Sequence, residues 1–231
     1  MKKQFMNKLT VLAICLFAFS LTAFGQKSDQ YIGTTKSNTK TALTREPMAD
    51  KNLKEMQKAT ESLRLEIKGP GALYKTAVGT FSFALINYAD NLTFSSARVA
   101  RGVNVGVIQV EAGSKELPDG YYIVNLKQFA KDEKGNPLYG ITLTNMSGAQ
   151  ALSIGPKTNG TAGNTNGLGA KRVAAVTVQA NGKDCPLCTV SMPIFTKVGK
   201  TETLQTEGLD TQIVEMVAGF VNTTKSNVKN A

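Results

Sequence analysis

The stretch VNVGVIQVE, residues 103–111, decides how the chain is read. Val103, Val105 and Val107 stand at every second position, with polar or small residues between them. In a strand, successive side chains point to opposite faces, so this spacing predicts a strand with one apolar face. The rhythm extends outward in both directions. TFSFALINY (80–88) alternates around Phe81, Phe83 and Leu85, and LTFSSARV (92–99) follows the turn signal Asp90-Asn91. YYIVNLKQF (121–129) follows Leu-Pro-Asp-Gly, where Pro pre-sets φ and Gly accepts a positive one. LYGITLT (138–144) follows Lys-Gly-Asn-Pro, and RVAAVTVQA (172–180) and TVSMPIFTKV (189–198) complete the set. Short strands between such turns predict an antiparallel sandwich or a barrel-like sheet. The βαβ rhythm of a parallel doubly wound sheet is missing.

Two segments have the longer period. In REPMADKNLKEMQKATESLRLEIKG, Leu53, Met56, Thr60, Leu63 and Ile67 recur at spacings of three and four. This predicts an amphipathic helix over 46–68, with Thr44 as cap, Pro47 in the first turn and Gly69 as stop. Near the other end, LDTQIVEMVAGFVN offers Asp210 as cap and a broad face of Ile213, Val214, Met216, Val217, Phe220 and Val221. Gly219 interrupts it at about 1 kcal/mol relative to Ala. The predicted class is therefore α+β, predominantly antiparallel β, with an N-terminal and a C-terminal amphipathic helix.

The first residues read as an address. Lys2, Lys3 and Lys8 precede the apolar run LTVLAICLFAFSLTAF (9–24), and Ala23-Phe-Gly25 supplies a small-x-small site before Gln26. That is the pattern of a secretory signal peptide, and the run is shorter than the ~20 residues of a membrane span. The predicted organisation is a signal peptide at 1–25, a polar leader at 26–45 and a single β-rich domain at 46–222. A polar tail follows at 223–231. Inside the domain, GPKTNGTAGNTNGLGAK (155–171) reads as a long Gly/Asn loop. Asn164, Asn166, Lys171 and Arg172 are its candidate contact residues.

Charge and composition narrow the chemistry. The chain of 231 residues carries a net charge of +10, and loss of three lysines with residues 1–25 lowers this to +7. The positive charge is spread, and no basic run is interleaved with aromatics, so no nucleic-acid partner is expected. A weak attraction to an anionic surface is compatible with it. There is no histidine, which removes Ser-His-Asp and Cys-His nucleophiles and histidine-based metal sites. The Gly-rich GLGAKR (167–172) lacks the adjacent Gly-Lys and following Ser/Thr of a phosphate loop.

One paired motif remains: Cys185-Pro186-Leu187-Cys188. Cleavage before Gln26 would remove Cys15 and leave these two cysteines to each other. A redox reading needs a helix starting at the motif, and Pro193 with the alternation after Thr189 opposes one. A metal reading needs four ligands, of which the motif supplies two. A structural reading fits the geometry. A β-turn brings residues i and i+3 within ~7 Å, close to the Cα separation a disulfide requires, and favours Pro at its second position. The strands on either side and Asn181-Gly182 predict a hairpin tip stapled by Cys185 and Cys188. The expected function is an exported cell-envelope binding or scaffold domain without catalysis, cofactor or metal, acting on an envelope ligand or protein. The alternative is a thiol–disulfide oxidoreductase or redox sensor using this motif.

Overall fold

A computed structural model of the chain describes residues 43–87, 94–111, 114–132, 135–157 and 177–229. Nine strands form one antiparallel sheet in strict sequence order. They are β1 (Leu43–Pro47), β2 (Glu66–Thr76), β3 (Gly79–Asn87), β4 (Val103–Glu111), β5 (Gly120–Lys131), β6 (Pro137–Asn145), β7 (Gln150–Pro156), β8 (Val178–Ala180) and β9 (Lys183–Asp184). A separate hairpin pairs β10 (Phe195–Val198) with β11 (Thr201–Leu204). The helices are α1 (Asp50–Thr60), α2 (Ser96–Arg101) and α3 (Leu209–Lys229). Every ladder joins chain neighbours; α1 lies in the β1–β2 connection and α2 in the β3–β4 connection. The antiparallel β class stands. Among the described residues the strands form one nine-stranded sheet in which β1 and β9 are not paired with each other, plus the separate hairpin.

Two cores lie on the two faces of this sheet. Phe81 and Phe83 of β3, Ile108 and Val110 of β4, and Val124 and Leu126 of β5 belong to the larger core. Ile141 of β6 and Ile154 of β7 join them, together with Ile213, Val214, Val217, Phe220 and Val221 of α3. The intervening Ala84 and Ile86 of β3 and Val107 of β4 pack with Met48 and Met56 in the smaller core. Each fully buried aliphatic or aromatic side chain contributes about 1.5–3 kcal/mol, so the larger core dominates stability.

The opening stretch does not keep one face. Val103 and Val105 join the larger core, whereas Val107 belongs to the smaller one. The β4–β5 register shifts between Asn104 and Gly106, and such a bulge turns the following side chains to the other face. Gly106 suits the place, because a Cβ there would meet the Ala84 carbonyl oxygen at 2.6 Å.

Several expectations are corrected. The helix predicted over 46–68 is confined to Asp50–Thr60. Thr44 and Pro47 lie in β1 and pair with Lys75 and Ala72, so neither starts a helix. Arg64 takes a left-handed φ of 54°, and from Glu66 the chain pairs with β3, Ile67 opposite Ile86. The Gln57 side chain holds this departure: its Oε1 accepts from Ile67 N at 2.8 Å, and its Nε2 donates to the Leu65 carbonyl at 3.0 Å. The segment 92–99 was expected as strand, but Ser96–Arg101 is helical. Ser95 caps it, accepting from Arg98 N at 3.3 Å, and Gly102 with φ 104° ends it. Of 189–198 only Phe195–Val198 is strand, and it pairs with β11. β1 begins inside the predicted leader, and α3 runs through most of the predicted polar tail. Gly155 and Pro156, placed in the long loop, end β7; Val178–Ala180 forms β8. Among the described residues no helix is long and apolar enough to cross a membrane.

Candidate functional site

The path to the cysteines starts at β8. Asn181 and Gly182 both have positive φ, 49° and 79°, as a two-residue hairpin of the mirror-image type requires. Asn181 also ties this tip to β7: its Oδ1 accepts from Ser153 N at 2.8 Å, and its N–H donates to the Ser153 carbonyl at 2.8 Å. The returning strand β9 is two residues long, Lys183 and Asp184. Cys185 N then donates to the Val178 carbonyl at 2.8 Å, and Cys188 N donates to the Cys185 carbonyl at 3.1 Å. The second bond closes a β-turn with Pro186 and Leu187 at its centre. The cysteine Cα atoms are 5.3 Å apart, and the sulfurs lie at disulfide distance.

The turn is not the exposed hairpin tip that was expected; that tip is Asn181-Gly182. Cys185 is 3% exposed and Cys188 5%, and both belong to the larger core with α3. The helix passes close to the turn at Gly219. A Cβ there would meet the Leu187 carbonyl carbon at 3.0 Å and Cys188 Cα at 3.1 Å. One turn further on, Thr223 Oγ1 lies 3.3 Å from Cys185 Sγ and donates to the Gly219 carbonyl at 2.9 Å. Beyond the cysteines the chain runs along the same helix. Gln212 Oε1 accepts from Ser191 Oγ at 3.0 Å and from Met192 N at 2.8 Å.

This arrangement bears on the chemistry of the motif. No helix begins at Cys185, so no helix dipole is aimed at its sulfur. Lys183 and Asp184 are exposed, whereas both cysteines are buried in the larger core, with the Thr223 hydroxyl beside Cys185 Sγ. Two sulfurs bonded to each other are not thiolate ligands, and among the described residues no group of three His, Cys, Asp or Glu is placed to hold a metal. Asn164, Asn166, Lys171 and Arg172 lie outside the described residues, so the structure neither brings them to this turn nor separates them from it.

A second polar constellation had no sequence signal. Arg45 of β1, Tyr74 of β2 and Asp210 of α3 meet although Arg45 and Asp210 are 165 residues apart. Tyr74 donates its hydroxyl to Asp210 Oδ2. Arg45 Nε donates to the Tyr74 oxygen and to Asp210 Oδ2, both at 3.2 Å. Asp210, the expected cap of the C-terminal helix, lies inside it. It sits in the first turn of α3, where its Oδ1 accepts from Thr211 N at 2.8 Å while Oδ2 serves Tyr74 and Arg45. Burial, followed by the hydrogen bond to Asp210, pushes the Tyr74 phenol up to about 12. At neutral pH Tyr74 is therefore a hydrogen-bond donor and not a base. The cluster ties an edge strand to the start of α3.

No protein-family model, curated protein or solved structure matches this chain.

Proposed function

We propose that the chain is an exported cell-envelope domain that binds or scaffolds an envelope component and performs no catalysis. The observation that carries this reading is the burial of Cys185 and Cys188 as a disulfide beneath α3. A disulfide of this kind belongs to an oxidising compartment. The signal-like residues 1–25 point to the same address, with Gln26 as the first residue after cleavage. The absence of histidine removes the commonest catalytic bases.

The rival reading, a thiol–disulfide oxidoreductase, needs an accessible, activated sulfur. Burial of both sulfurs and the lack of a helix at the motif weigh against it. Cell fractionation with intact-mass measurement tests the address: the expected species starts at Gln26, is 206 residues long, and lies outside the cytoplasm with Cys185 and Cys188 unreactive to alkylation. Saturable co-sedimentation of this species with isolated envelopes is expected, together with no disulfide-reductase activity on an insulin substrate. A cytoplasmic, uncleaved chain would overturn the export reading. Turnover of insulin would overturn the non-catalytic one, and failure to sediment at any concentration would overturn envelope binding.

A further inference from the structure

We propose that the Cys185–Cys188 disulfide is a redox-operated latch on the C-terminal helix. Oxidised, it holds the second half of α3 docked; reduced by a dithiol, it releases that half from about Gly219 onward. The inference stands on the geometry of the turn and does not depend on the proposed envelope function.

Both halves of α3 bury apolar side chains in the larger core, and they differ in their further contacts. The first half is anchored by Asp210 to Tyr74 and Arg45, and by Gln212 to Ser191 and Met192. None of those bonds involves the cysteines. The second half meets the disulfide turn: the Leu187 carbonyl abuts Gly219, and Cys185 Sγ touches Thr223. Farther along, Lys225 Nζ donates to the Val78 carbonyl at 2.9 Å. The turn is thus the seat of the helix at Gly219, and the disulfide sets the shape of the seat.

The chemistry balances with a dithiol as reductant. Its thiolate attacks one cysteine sulfur and forms a mixed disulfide, while the other cysteine leaves as a thiolate and takes up a proton. The reductant's second thiol then attacks the mixed disulfide, closes to a cyclic disulfide, and releases the second cysteine, which is also protonated. Two electrons and two protons pass to the protein. The sulfurs then separate from a bond of about 2 Å to a non-bonded distance. A close-packed interior has no spare space for this displacement. The atoms facing Gly219 are backbone and cannot swing away as a side chain would, so the displacement passes to the helix. Because both sulfurs are buried, the reductant reaches them only when the helix lifts. Reduction and local opening are then one event.

Hydrogen exchange of the full chain, oxidised and after dithiothreitol, tests the latch, with alkylation mass spectrometry confirming two new thiols at 185 and 188. Amides of 219–229 should exchange about tenfold faster or more on reduction, while those of β3 to β5 change by less than about twofold. The reduction rate should level off at high dithiothreitol, limited by opening. Two variants keep the test independent of reductant: Cys185→Ser with Cys188→Ser, and Gly219→Ala with the disulfide intact. Both should show the same local loss of protection. An unchanged helix, an equal change across sheet and helix, or cysteines that stay oxidised at every dithiothreitol concentration would overturn the proposal.

Discussion

Gly219 shows how one residue can carry opposite signs in two accounts. In an isolated helix, Gly219→Ala gains about 1 kcal/mol of propensity. In the folded chain the added Cβ meets the Leu187 carbonyl carbon at 3.0 Å and Cys188 Cα at 3.1 Å. Overpacking of this kind costs about 1–3 kcal/mol, and here backbone must give way. Backbone contact puts the cost at the upper end of that range, so packing wins and urea unfolding should show a net loss of up to about 2 kcal/mol for Gly219→Ala. Tyr74 makes a second prediction at this scale. Its phenol is held up to about 12 in the fold, against about 10 in an unfolded chain. Between those values the native state binds the extra proton, so its contribution is complete below pH ~10 and is lost as pH rises toward 12. The loss is on the order of 2 kcal/mol. Burial also raises Tyr121, Tyr122 and Tyr139, so the wild type minus Tyr74→Phe difference isolates the effect. That difference should be flat from pH 7 to 9 and shrink from about pH 10 to 12; a difference that stays flat throughout would remove Tyr74 as its source.

Among the elements, SLRLEIKG (62–69) satisfies two periods at once. Leu63 and Ile67 fit a helix face, while Leu63, Leu65 and Ile67 alternate as a strand does. Local pattern cannot arbitrate. Pairing of Glu66, Ile67 and Lys68 with β3 decides for strand, and the left-handed Arg64 makes the corner. The second misreading had a visible signal: Ser95 before the helix and Gly102 after it are cap and stop for the short α2. The expected strands left out β1, β2, β7, β9 and β11: LTREP, KD and TETL carry little alternation, whereas Leu152 and Ile154 of β7 do alternate and were passed over beside the Gly/Asn loop. Docking of α1 is testable through Met56, fully buried in the smaller core. Met56→Ala should cost about 2–4 kcal/mol in denaturant unfolding. A loss below about 0.5 kcal/mol would mean that α1 adds nothing to that face.

For the molecule as a whole, the antiparallel β class, the C-terminal helix and the proximity of the two cysteines were all legible in the sequence. Period-two alternation, the broad apolar face of 213–221 and the reach of a β-turn are local properties, fixed by residues within a few positions of one another. Strand order was not legible in the sequence; the structure shows that each strand pairs with its chain neighbour. Three features depended on distant residues and were decided only by tertiary structure. A bulge at Asn104–Gly106 divided one valine stretch between two cores. Arg45, Tyr74 and Asp210 were assembled from three elements far apart in the chain. Helix α3 packed across the Cys185–Cys188 turn and turned an expected surface staple into a buried one. Register, long-range hydrogen bonds and burial are relations between segments, and no window of sequence contains both partners.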